Sequence, residues 1–216
     1  MSRAYDLLVF DWDGTLMDSE AKIVRCVQAA AVEAGVPDPG PRAIRHIIGL
    51  GLQEAIAVLF PQQNNAQRAT IIDRYRAHFL DHDDTPMPLF PGVQEGLTAL
   101  AEQGYLLAVA TGKARRGLDR VLSETGTRTL FVATRCADEA FSKPHPQMLE
   151  DILHTTGIGA GRSLMVGDTV YDMQMARNAG VAALGVGYGV HEPENLLNDG
   201  ALTVLNSFPE VCQWLR

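Results

Sequence analysis

Leu7-Leu8-Val9-Phe10-Asp11-Trp12-Asp13-Gly14-Thr15-Leu16 is the stretch from which the rest of the chain is read. Its four opening apolar residues show no alternation and are too few for a helix. Such a run suits a strand covered on both faces in a parallel sheet. It stops at Asp11, and Gly14 supplies a turn. From Ser19 the spacing becomes helical, with Ile23, Val24, Val27, Ala30, Ala31 and Ala34 on one face and Gly35 and Pro37 to end it. Three more helical stretches follow with no strand between them: about Pro41 to Ile48, Leu52 to just before Pro61, and a last one reaching about Leu80. Asp81-His82-Asp83-Asp84 and the prolines Pro86, Pro88 and Pro91 then mark a linker.

Beyond the linker, helix and strand alternate. A helix carrying Val93, Leu97 and Leu100 precedes the strand Leu106 to Ala110. One with Leu118, Val121 and Leu122 precedes a strand near Leu130 to Ala133. One with Met148, Leu149 and Ile152 precedes Leu164-Met165-Val166, and a helix around Asp172 to Ala179 precedes Val181 to Val186. This order predicts an α/β fold: a doubly wound, Rossmann-like parallel sheet core over residues 1–16 and 86–216, with an α-helical cap inserted at 17–85.

The 216 residues are enough for one core plus a small insert, and 46% hydrophobic content excludes a disordered chain. Eighteen basic against 26 acidic residues give a net charge of −8, so neither nucleic acid nor an anionic membrane surface is an expected partner. No apolar run approaches a membrane span, and no signal peptide is legible. Cys26, Cys136 and Cys212 are far apart and odd in number, which reads as free thiols in the cytoplasm.

The chemistry-bearing residues sit where the strands end. Asp11 and Asp13 follow the first strand, Thr111 follows Leu106 to Ala110, and Asp168 follows Leu164 to Gly167. Parallel strands deliver their carboxyl ends to one edge of the sheet, so three acids and a hydroxyl are expected to meet there. Packed carboxylates need a cation among them. An all-oxygen set suits Mg²⁺ rather than zinc, and Lys143 offers a further fixed charge.

Asp11-Trp12-Asp13-Gly14-Thr15-Leu16, Thr111-Gly112, Lys143-Pro144 and Gly167-Asp168-Thr169 with Asp172 resemble the four ordered motifs of the haloacid dehalogenase-like hydrolases. More narrowly they resemble the phosphoglycolate-phosphatase-like members with a small helical cap. The resemblance implies a Mg²⁺-dependent phosphatase acting on a small phosphorylated metabolite, phosphoglycolate first, through an aspartyl-phosphate. It makes Asp11 the nucleophile and Asp13 the general acid and base. It places Mg²⁺ on Asp11, Asp168 and the carbonyl of Asp13, with Asp172 either a ligand through water or the partner that orients Lys143. Thr111, Gly112 and Lys143 would hold the phosphoryl group. Asp13 separates the chain from the dehalogenases, which lack this second acid. Trp12 stands where phenylalanine is more usual. The same motifs leave open a β-phosphoglucomutase-like phosphomutase and a catalytically inactive binding module. A DxD glycosyltransferase would give Lys143 and Asp168 no role.

Other features read more plainly. His78 and His82 beside three aspartates suit a solvated hinge better than a metal site. Gly185, Gly187 and Gly189 have the wrong spacing, after the wrong strand, for a dinucleotide loop. Arg42, Arg45 and the turn Gly49-Leu50-Gly51-Leu52 belong to the cap, where a loop reaching over the site is one expectation and a solvent-facing surface another.

Overall fold

Strand β1 (Leu7–Phe10) is buried at every position, and its side chains alternate between two cores. Leu8 and Phe10 enter one apolar cluster, Leu7 and Val9 the other, so helices cover both faces of the sheet. The computed structural model describes residues 3–216. After β1 come α1 (Glu20–Glu33), α2 (Pro41–Ile47), α3 (Leu52–Leu59) and α4 (Asn65–Ala77), with a single π-helical turn at His78–His82. Then follow α5 (Val93–Glu102), β2 (Leu106–Thr111), α6 (Arg115–Glu124), β3 (Phe131–Cys136), α7 (Gln147–Thr156) and β4 (Ser163–Gly167). The chain ends with α8 (Val170–Asn178), β5 (Ala182–Val186), α9 (Pro193–Asn198), β6 (Val204–Leu205) and α10 (Phe208–Trp214).

All strand pairs are parallel and the order is β3-β2-β1-β4-β5-β6. The direction of winding reverses between β1 and β4, and a crevice opens at such a switch point beyond the strand ends. Leu8 pairs with Leu107 on one side and Leu164 on the other, so β2, β1 and β4 end at the same level.

Helices α1 to α4 share an apolar cluster of their own, with Ile23, Val27, Ile44, Ile56 and Ile71 at its centre and Val190 from the core side packed into it. Asn64 and Gln67 form a capping box that starts α4. The two connections to this helical unit lie side by side: Asp18 N–H donates to Pro88 O at 2.8 Å, and Phe90 N–H to Leu16 O at 2.9 Å. Among the described residues, no helix is long and apolar enough to cross a membrane.

Two differences from the sequence reading have physical reasons. Strand β3 runs to Cys136 rather than stopping at Ala133, because it is an edge strand whose Thr134 and Arg135 stay partly exposed and break the apolar signal. The short elements α9, β6 and α10 follow Gly187, where brief polar-flanked segments carry too little periodicity to read.

Candidate active site at the switch point

Asp11 continues β1 by one residue, its N–H donating to Val166 O at 3.0 Å, and its side chain is fully buried. Lys143 Nζ forms an ion pair with its Oδ1 at 2.7 Å, and among the described residues neither Asp11 oxygen has a well-aligned hydrogen-bond donor. A buried carboxylate without donors is costly. Burial accordingly holds the Asp11 carboxyl well above its usual range, Lys143 opposing and the Asp172 and Asp168 charges adding to it.

Lys143 also donates to Asp172 Oδ1 at 2.7 Å. The other oxygen of Asp172 accepts from Thr169 Oγ1 at 2.7 Å and Thr169 N–H at 3.1 Å, the capping box that begins α8. Asp172 therefore orients Lys143 from a helix N-terminus. Burial opposes the charge on Lys143, but the two carboxylates outweigh it and its pKa is raised.

Asp168 follows β4 and is likewise fully buried. Its Oδ1 accepts from Thr15 Oγ1 at 2.8 Å and its Oδ2 from Val190 N–H at 2.9 Å. Burial first, then the Asp172 charge, raise its pKa to about 7. Two glycines make room for it: a Cβ on Gly14 (φ +85°) or on Gly189 would overlap the Asp168 side chain. One oxygen each of Asp11, Asp168 and Asp172 lie within 4.8 Å of one another. Three hard oxygen donors, one of them from a carboxylate left without hydrogen bonds, fit a small divalent cation.

Asp13 points elsewhere. Its Oδ1 accepts from Ser19 Oγ at 2.5 Å, and Lys113 Nζ donates to both oxygens at 2.8 and 2.9 Å. Ser19 stands at the N-cap of α1 without a capping bond, since its hydroxyl is given to Asp13. Thr111 is buried at the end of β2, where its Oγ1 accepts from Lys113 N–H at 3.2 Å. It does not cap α6, which starts after Ala114. Gly112 lies beneath the carbonyls of Gly49 and Leu50, so close that a Cβ there would overlap Leu50 O. Gly51 N–H donates to Ser142 Oγ at 2.8 Å, which ties the same turn to the loop before Lys143.

Asp11, Asp13, Gly112 and Lys113 line a cavity of about 520 Å³ from the sheet side, with residues of α1, α3 and α4 opposite; Thr111, Lys143, Asp168 and Asp172 do not line it. The turn Gly49-Leu50-Gly51 reaches it, through backbone rather than charge. Arg42 and Arg45 do not line it; Arg45 pairs with Glu20 at 3.1 Å. His78 pairs with Glu33 at 2.9 Å and is not part of the cluster of Asp11, Asp168 and Asp172.

The site also contains residues the sequence reading passed over. Lys113 sits two residues beyond Thr111 at a strand end, a position that could have flagged it. Ser19 marked only a helix start, and Gly189 only a rejected loop. Trp12 is wholly buried, its Nε1 3.3 Å from Met17 Sδ, a core role that the unusual ring at this position can fill.

Residues 8–186 match the family described as haloacid dehalogenase-like hydrolase. The protein named "Probable phosphatase IndB" of Dickeya dadantii is 37% identical over 95% of this chain and 91% of its own length. A phosphoglycolate phosphatase of Agrobacterium fabrum is 31% identical over 90% of this chain and 89% of its own. A haloacid dehalogenase-like family hydrolase from Streptococcus pneumoniae, 24% identical, superimposes with a TM-score of 0.86 over 99% of both chains, a likeness of fold.

Proposed function

Because the chain belongs to the haloacid dehalogenase-like hydrolase family and is a phosphatase of phosphoric monoesters, we propose that it is a Mg²⁺-dependent enzyme using Asp11 as nucleophile on a small phosphorylated metabolite. The observation that carries this reading is the Asp11 carboxylate, buried at a strand end and lining the cavity, ion-paired with Lys143 but with neither oxygen in a hydrogen bond among the described residues. Such a group is kept for a ligand.

In this reading an Asp11 oxygen attacks phosphorus while the ester P–O bond breaks, leaving an aspartyl-phosphate. Asp13 gives its proton to the departing alkoxide. It then takes one from the water that attacks the phosphoenzyme, which releases inorganic phosphate and restores Asp11. Ser19 and Lys113 aim the Asp13 carboxyl for both transfers. Gly112 N–H and the Thr111 hydroxyl hold phosphoryl oxygens, and Lys143 balances the charge shared between Asp11 and the phosphoryl group. Mg²⁺ held by Asp11, Asp168 and the Asp13 carbonyl, with Asp172 beside them, would neutralise the phosphoryl oxygens. Residues 17–85 act as the cap that closes the site and meets the leaving group. Phosphoglycolate, in the name of the Agrobacterium relative, is the reference substrate.

Rapid acid quenching during turnover tests the reading. Wild type with Mg²⁺ should yield an acid-labile phosphoenzyme and free phosphate, and chelation should stop both. Asp11→Asn should yield neither while keeping its fold. Substantial turnover by Asp11→Asn refutes the nucleophile.

A further inference from the structure

We propose that the leaving group this enzyme takes is an uncharged, largely apolar alcohol much bulkier than glycolate. The inference rests on the phosphatase reading and names the substrate class for that site.

The cavity opposite Asp11 has about 520 Å³, the size range that holds drug-sized molecules rather than a two-carbon acid. Its wall is apolar. Ile23 and Val27 of α1, Ile48 and Leu52 about the turn, Ile56 of α3 and Phe79 beyond α4 all line it. Ile23, Val27, Ile48 and Ile56 are buried.

The charges that line the same cavity do not suit an anionic leaving group. Lys113 is the buried cation there, and both oxygens of Asp13 already hold its Nζ, which also lies 4.9 Å above the Phe79 ring. Arg76 and Arg116 stand at the exposed rim, where Glu54 and Asp138 also stand. A carboxylate carried by the leaving group would be stripped of water against isoleucine and leucine side chains without a cation of its own, and that is strongly unfavourable. An apolar group in the same place removes wall and ligand surface from water together. Tyr75 and Phe79, stacked with centroids 5.5 Å apart, extend the apolar surface next to the acid that serves the leaving oxygen.

One acyl phosphate and three monoesters, each with Mg²⁺, test this: acetyl phosphate, ethyl phosphate, phosphoglycolate and 2-phenylethyl phosphate. The last three all leave as primary alkoxides, so differences among them report the cavity rather than leaving-group chemistry. The expected kcat/KM for 2-phenylethyl phosphate is about 100-fold or more above phosphoglycolate and about tenfold or more above ethyl phosphate, in line with what a few methylenes contribute in an apolar pocket. Leu52→Lys, which sets a cation in the wall, should narrow the first ratio about tenfold, with retention of fold checked by circular dichroism. Phosphoglycolate turned over as well as or better than 2-phenylethyl phosphate overturns the inference while leaving the phosphatase reading intact. So does a ratio unmoved in folded Leu52→Lys. Failure of all four compounds, acetyl phosphate included, overturns the phosphatase reading itself and this inference with it.

Discussion

Lys113 Nζ grips both carboxylate oxygens of Asp13, at 2.8 and 2.9 Å, while Lys143 Nζ bridges Asp11 and Asp172 on the other side of the same site. Each lysine thus serves one of the two aspartates that flank Trp12. The two acids are divided by their partners as well as by position: Asp11 has Lys143 as its ion-pair partner and no hydrogen bond among the described residues, and Asp13 is held in one orientation by Lys113 and Ser19.

That division predicts how two substitutions differ. Asp13→Ala should lower kcat/KM for alkyl monoesters about 10²–10⁴-fold, the range of a lost general acid and base. Lys113→Met keeps the acid but frees its orientation, so a loss of roughly tenfold is expected. For p-nitrophenyl phosphate, whose leaving group departs without a proton, both losses should shrink. Losses independent of leaving-group pKa would remove Asp13 from proton transfer and Lys113 from positioning it.

How far the sequence discloses this site follows from what each residue contributes. Asp11, Thr111 and Asp168 are legible because a buried apolar run that ends in a polar residue at the edge of a parallel sheet delivers that residue to the place where ligands bind. Lys143 and Asp172 are legible only beside them, since a loop lysine and an acid in a first helical turn are common. Lys113 was hidden because a loop leading into α6 is itself an ordinary place for a lysine. The approach of Gly49 and Leu50 to Gly112 was hidden for a different reason. It is a backbone contact between distant segments, and side-chain chemistry leaves no trace of it. The arginines of α2 stand out as charges in the sequence, yet they do not line the cavity.

The glycines beside Asp168 give a second prediction. Gly14→Ala must carry a side chain at φ +85° and push against the Asp168 carboxylate. Gly35→Ala, at φ +67° with open space around it, meets only the first penalty. Both variants should lose about 1–2 kcal/mol of stability from the left-handed backbone. Gly14→Ala alone should lose activity, roughly 10²-fold for a displacement near 1 Å, and should need more Mg²⁺ for half-maximal rate. Equal activity in the two variants would show that Asp168 can sit elsewhere.

Burial of the thiols gives a third. Burial first of all pushes Cys26 and Cys136 up to about 12, and neither is exposed. The thiolate is the nucleophile, so native protein at pH 8 should resist iodoacetamide at both positions while the unfolded chain reacts within minutes. The linkage has a definite sign. The folded state keeps these protons to higher pH than the unfolded chain, so their contribution is full below about pH 8.5 and fades as pH rises towards 12. Melting temperatures measured from pH 8 to 11 should fall, less steeply in Cys26→Ala. Rapid native alkylation at Cys26 would show that the α1 face opens.

Lys143 carries the largest expected effect on stability. It is wholly buried between two carboxylates, with a third close by, so Lys143→Met leaves three acids within reach of one another and no cation among them. Removing one partner of a buried pair costs about 3–5 kcal/mol, and melting in chelator should drop accordingly. A cation bound among the same oxygens replaces part of the lost charge. Mg²⁺ at about 100 times its dissociation constant stabilises by roughly 2.7 kcal/mol, so its addition should raise the melting temperature of Lys143→Met. Lys143→Met with Asp172→Asn removes a charge of each sign and should melt above Lys143→Met alone, a coupling expected of groups in one network. If Lys143→Met melted like wild type in chelator, the lysine would not be what makes the burial of these carboxyls tolerable.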